Sequence, residues 1–281
     1  MQKTCLAVHD LSCCGRSSLT VALPVLSACG IHTTVLPTAL LSTHTGEFTG
    51  YTCLDLTEEM AGIEKHFERL DLQFDGLYTG FLGNAGQISL VARVLKRFRR
   101  SDTLALVDPV LADEGRLYAT CDMALAEGMR ELCAQADVIT PNLTEAALLL
   151  GLPYEAEPEE GRVNTLLELL ASRFGCGQVV ITGVRQGEVT GAAGFCARDG
   201  SFCFAGAPHL PHTFYGTGDV FASGLLGALM QGLRMPEALR LAVDFTYDGM
   251  KHTLENGLPL RYGVSFEQAL PLLWKGLQLN A

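Results

Sequence analysis

The sequence predicts an α/β protein of three layers, with a mainly parallel central sheet and helices on both faces. Short apolar runs alternate with helical stretches almost throughout the chain, the signature of successive βα units. The runs lack the polar alternation of a half-exposed sheet, so both faces are covered. Hydrophobic residues make up 48% of the 281 positions and charged residues 18%, enough for a large core and too apolar for disorder. No repeat, low-complexity stretch or long linker divides the chain. One domain over residues 1–281 is expected, with a small flap at 41–50.

Residues 5–8 read as a buried strand ending in a polar turn at 9–18. A helix from about 17 to 29 follows, stopped by Gly30. Ligands of open parallel sheets gather at the carboxyl ends of strands, so Asp10 and Ser12 stand where a substrate could be held. Ser17 or Ser18 capping the helix is the plain alternative, and both can hold. Cys13 and Cys14 have no activating group placed by sequence and read as loop residues. Strand 31–36 leads to the flap, rich in hydroxyls, with His44, Thr45 and two glycines. Such a loop either hydrogen-bonds a polar ligand or is a surface turn.

Met60, Ile63 and Phe67 give the helix 57–70 its apolar stripe. Strand 74–78 turns through Phe81 into helix 87–98. The basic cluster closing that helix complements its dipole and needs no ligand. Strand 104–107 ends in Asp108 and Asp113, two carboxylates that could position Mg²⁺ through water. After helix 121–135 and strand 137–140, Asn142 and Glu145 have capping-box spacing, though Glu145 could instead serve a metal. Helix 163–174 precedes strand 178–183, which carries Thr182 near its end. Asp199-Gly200 joins runs 189–196 and 201–205 as an antiparallel hairpin, a candidate apolar slot for a nucleotide base. Helices near 217–231 and 236–254 and the segment 265–276 complete the chain.

Gly216-Thr217-Gly218-Asp219 runs directly into an apolar helix. Glycines let a backbone approach a ligand closely, and unpaired N–H groups at a helix start attract anions, phosphate above all. A carboxylate beside bound phosphate weakens affinity, so Asp219 makes sense as the base for an attacking hydroxyl. Capping the helix is its plain alternative.

Ser42-Thr43-His44-Thr45, Asp108-Pro109-Val110-Leu111, Ile139-Thr140-Pro141-Asn142 with Glu145, Thr182 and the Gly-Thr-Gly-Asp loop occur in that order. The set resembles the ribokinase-like superfamily and, within it, the pyridoxal kinases. The resemblance implies ATP-dependent phosphorylation of the 5′-hydroxymethyl group of a vitamin B6 vitamer. It implies Asp219 as base, with Gly216, Thr217 and Gly218 as the anion hole. Asn142, Glu145 and Thr182 would serve the nucleotide, and Asp108, Asp113 and Glu145 the Mg²⁺. Asp10, Ser12, His44, Thr45 and Phe81 would face the vitamer. A monovalent cation such as K⁺ and a homodimer are implied as well. Asp10 stands where the family commonly has Ser, with Ser12 as the neighbouring alternative, Phe81 where it has Tyr, and Ala112 where it has Gly. The acidic Asp10 implies a preference for the amine-bearing pyridoxamine. Hydroxymethylpyrimidine kinase is the nearest rival, and a non-catalytic B6- or nucleotide-binding protein the other.

A formal charge of −11 and a pI near 5.1 argue against nucleic acid or anionic membrane as partners. The ten cysteines show neither Cys-x-x-Cys nor zinc spacing, which suits free thiols in a reducing cytoplasm. Neither a signal peptide nor a membrane-length apolar run is visible.

Overall fold

A computed structural model describes residues 2–279. Six parallel strands form the centre of its main sheet. In spatial order they are β2 (Ile31–Leu41), β1 (Lys3–Ser12), β4 (Gly76–Thr79), β5 (Leu104–Val107), β8 (Val138–Ile139) and β9 (Gln178–Gln186). The antiparallel strand β3 (Cys53–Asp55) covers the β2 edge. The hairpin β10 (Val189–Cys196) and β11 (Ser201–Pro208) extends the β9 edge. A separate two-stranded ribbon pairs β6 (Ala112–Asp113) with β7 (Arg116–Leu117).

Helices cover both faces, as the apolar runs of the central strands require. On one lie α2 (Thr57–Arg69), α3 (Gly86–Phe98), α4 (Met123–Cys133), α5 (Leu143–Leu150) and α6 (Glu160–Phe174). On the other lie α1 (Leu19–Ala28), α7 (Thr217–Met230), α8 (Met235–Asn256) and α9 (Leu270–Gly276). Successive strand side chains alternate between two cores. In β5, Ala105 and Val107 join the first while Leu106 joins the second; in β9, Val179 and Ile181 oppose Val180. The three-layer α/β/α architecture expected from the sequence is the one observed. No helix among the described residues is long and apolar enough to cross a membrane, and the ten cysteines are free.

Three local differences bear on the site. β1 does not stop at Val8 but continues through His9 and Asp10 to Ser12, paired with β2 as far as Leu41. Its polar end reads as a turn in sequence, yet Asp10 and Ser12 line a cleft and His9 is buried against Tyr78. β3 is too short to show periodicity. The β6–β7 ribbon turns at Glu114 and Gly115, whose φ of 48° and 76° suit a type I′ hairpin.

Candidate active site

The C-terminal ends of the parallel strands, the flap and the start of α7 surround a cleft of about 270 Å³. Every site residue nominated from the sequence lines it: Asp10, Ser12, His44, Thr45, Phe81, Asp108, Asp113, Asn142, Glu145, Thr182 and the loop from Gly216 to Asp219. Residues far apart in sequence meet here because parallel strands deliver their ends to one side of the sheet.

The loop before α7 has the geometry of an anion site. Gly216 caps the helix at φ 74°, and a Cβ there would collide with the Arg16 carbonyl oxygen. Val220 N–H bonds back to the Gly216 carbonyl at 3.1 Å. The N–H groups of Thr217, Gly218 and Asp219 have no protein acceptor among the described residues, which leaves them for an anion. Gly218 has ordinary helical backbone, and a Cβ built on it would meet only Asp108 Oδ2, at 3.9 Å. Its missing methyl therefore serves the space and not the fold. We expect Gly218→Ala to keep its thermal midpoint yet lose at least about tenfold in turnover, because small displacements of bound groups are costly. Unchanged turnover in that folded variant contradicts the loop's role.

Asp219 is half-buried, and its Oδ2 accepts the Ser18 N–H at 2.8 Å. Loss of solvation in the cleft raises its carboxyl to about 7; the Ser18 N–H opposes the shift, and the charges of Asp108 and Asp10 add to it. Asp10 is buried and accepts hydroxyl protons from Ser12 at 2.9 Å and from Ser18. Burial pushes its carboxyl up against those donors. Ser18 does not cap α1 with its side chain, contrary to the sequence alternative; the hydroxyl goes to Asp10 instead. Nothing in the local sequence signals this, because both acceptors are set by tertiary packing.

The flap is tied down by His44. Gly46 N–H donates to its Nδ1 at 3.1 Å, which leaves Nε2–H to donate to the Arg261 carbonyl. Its ring stacks on Tyr215, with centroids 5.5 Å apart, and meets Phe48 edge-on at 4.9 Å. Both ring nitrogens of His44 therefore serve the flap, and Thr45 and the half-buried Phe81 complete that wall.

The opposite wall is a cluster of carboxylates. Asp108 is buried, accepts the Thr140 hydroxyl at 2.9 Å, and is raised by burial to about 7. Glu145 forms the capping box: its Oε2 accepts Asn142 N–H at 2.9 Å, while Asn142 Oδ1 accepts Glu145 N–H at 2.9 Å. Its Oε1 accepts Leu111 N–H at 3.0 Å and Ala112 N–H at 3.4 Å. Burial and then the Asp108 charge push Glu145 upward, against those N–H groups. Glu145 thus braces the Asp108–Asp113 loop, and the capping alternative is realised. Asn142 bridges to Thr182 beside a bulge at Gly183, φ 72°, which brings both to the cleft.

No group of three or more His, Cys, Asp or Glu side chains is gathered for a metal among the described residues. The donor chemistry still suits a hard divalent cation that arrives with phosphates, because Asp108 and the exposed Asp113 offer carboxylate oxygens. An adjoining cavity of about 340 Å³ shares Asn142, Thr182, Thr217 and Gly218. It continues between the β10–β11 hairpin and α8, past Ala207, Val243 and Tyr247. Tyr118 lines both cavities and was not nominated from the sequence.

Residues 20–261 match the family model described as phosphomethylpyrimidine kinase. The chain belongs to that family. It is a kinase, and its relatives include pyridoxal kinases. It is 31% identical to a pyridoxine/pyridoxal/pyridoxamine kinase of Bordetella avium, over 85% of this chain and 81% of the relative. A Bacteroides thetaiotaomicron structure with pyridoxal, provisionally described as a phosphomethylpyrimidine kinase, is 41% identical with a TM-score of 0.93. The match covers 97% of this chain and 96% of that one. A Leishmania donovani pyridoxal kinase in complex with ADP and pyridoxamine is 25% identical with a TM-score of 0.86, covering 96% and 95%.

Proposed function

We propose that this single-domain kinase transfers the γ-phosphoryl group of ATP to the 5′-hydroxymethyl group of a vitamin B6 vitamer, with Asp219 as the base. The observation that carries this reading is the place of Asp219, a carboxylate fixed at a helix start beside three N–H groups that have no acceptor among the described residues, in the cleft that holds Asp10. The ADP and B6 ligands of the related structures support the substrate pair.

Asp219 takes the hydroxymethyl proton as that oxygen attacks in line. The N–H groups from Thr217 onward hold the phosphoryl oxygens, charge stabilisation already aimed at the transition state. Asp10 and Ser12 orient the ring from β1, while His44, Thr45 and Phe81 enclose it from the flap side. Asn142 and Thr182 face the nucleotide phosphates, and the adjoining cavity takes the base. Asp108 and Asp113 would hold Mg²⁺, with Glu145 bracing them from behind; when bound, the ion neutralises phosphate charge. A monovalent cation such as K⁺, a homodimer and a cytoplasmic location belong to the same proposal.

ADP release with Mg-ATP, compared across pyridoxal, pyridoxine, pyridoxamine and hydroxymethylpyrimidine, tests the reading. Preferred turnover of a B6 vitamer is expected. The family's own description makes the pyrimidine the second reading, and preferred turnover of it overturns the first. The pH dependence follows from Asp219: the base works ionised, and burial holds its carboxyl near 7. We expect kcat/KM to fall as pH drops through about 7 and to level off above it. A flat profile from pH 6 to 8 contradicts the assignment.

A further inference from the structure

We propose that Ser18 is a positioning residue that ties the substrate-side carboxylate Asp10 to the base Asp219, bonded to one through its hydroxyl and to the other through its backbone N–H. The inference rests on the kinase reading above and gives a place in the site to a residue that the sequence marks only as a candidate helix cap.

Ser18 is 6% exposed and has φ 51° and ψ −126°. That left-handed backbone disfavours a residue with a Cβ and persists only where the surroundings enforce it. A serine at a helix start ordinarily turns its oxygen to the helix's own N–H groups. Here the hydroxyl makes no cap bond and donates to Asp10 Oδ1 instead. The carbonyl accepts from Ala22 N–H at 2.8 Å and so belongs to α1. The N–H, turned the other way by the unusual φ, donates to Asp219 Oδ2 at 2.8 Å. All three polar groups of one residue are therefore committed: one to a helix, one to β1 and one to α7. Ser12 holds the other oxygen of Asp10 at 2.9 Å. A ring that donates a proton to Asp10, through an N–H, O–H or ammonium group, thus binds a carboxylate that shares one rigid link with the base. The link fixes the two carboxylates relative to one another, the hydroxyl holding Asp10 and the N–H holding Asp219.

Two substitutions separate the hydroxyl from the backbone. Ser18→Gly accepts the positive φ and keeps the N–H, but removes the hydroxyl. Ser18→Ala removes the hydroxyl and keeps the strain. For Ser18→Gly, the vitamer KM should rise about tenfold, the scale of one hydrogen bond to a carboxylate, with kcat falling at most about twofold. For Ser18→Ala, kcat should fall by a further factor of about ten as Asp219 shifts. In an Asp10→Ala background, Ser18→Gly should leave KM within about twofold, because the hydroxyl acts through Asp10. A wild-type vitamer KM in Ser18→Gly, or an undiminished tenfold effect without Asp10, overturns the proposal. Thermal midpoints identify any variant that fails to fold; Ser18→Gly and the Asp10 comparison decide the matter without Ser18→Ala. Hydroxymethylpyrimidine is run alongside, so a wrong acceptor shows in the wild type while the Ser18 comparison stays readable with the acceptor that turns over.

Discussion

Asp219→Asn should lower turnover by about 10³-fold, within the range of a general base, while ATP binding survives. The same substitution should stabilise the protein above neutral pH. Asp219 is raised from an ordinary 3.8 to about 7 by desolvation, so the folded state binds a proton more tightly than the unfolded chain. A carboxyl raised in this way makes stability fall as pH climbs from about 4 to about 7. Asparagine carries no such penalty, and its side-chain oxygen can still accept the Ser18 N–H. The gain should be absent near pH 4, grow towards pH 7 and stay constant above. Discounted for partial solvent screening, it amounts to about 2 kcal/mol, a rise of a few degrees in thermal midpoint. Melting curves at pH 5 and pH 8, with steady-state rates, check both halves. Wild-type turnover removes Asp219 from the base role, and a lower midpoint at pH 8 contradicts the burial account.

Glu145→Ala should act in the opposite sense, losing stability and activity together. The carboxylate is 4% exposed and receives backbone N–H bonds from Leu111, Ala112 and Asn142. Alanine leaves those donors without an acceptor, at about 1–3 kcal/mol for each buried group, and removes half of a capping box. Relief of the carboxyl's own burial and then of the repulsion with Asp108 offsets part of that. A net loss of about 3 kcal/mol, on the order of 10 °C in midpoint, is expected. With its brace gone, the Asp108–Asp113 loop should shift and cost about 10²-fold in kcat. Calorimetry and a Mg²⁺ titration of turnover separate the two effects: a metal-only role would weaken Mg²⁺ dependence while leaving the midpoint unchanged.

Much of the fold was legible because its signals are local. The apolar run at 104–107, the stripe Met60-Ile63-Phe67 and the Asp199-Gly200 turn each depend on near neighbours in sequence, and each appears as expected. Elements of two or three residues, such as β3 and β7, are too short to carry a period. The end of β1 failed for a different reason: His9 and Asp10 are polar, so they read as a turn, yet both are buried within a paired strand. Rules of local patterning break at places where a sheet presents its strand ends to a ligand.

The sequence by itself determined the layers, the succession of loops around the cleft and the Gly-Thr-Gly-Asp start of α7, because periodicity and spacing are written along the chain. Only the tertiary structure decided which alternative each ambiguous residue follows. Ser18 reaches Asp219 across 201 positions and leaves its own helix uncapped; Glu145 reaches Leu111 across 34. The rise of Asp108 and Asp219 to about 7 likewise comes from burial. Hydrogen-bond partners and desolvation are properties of neighbours in space, and folding alone supplies those neighbours.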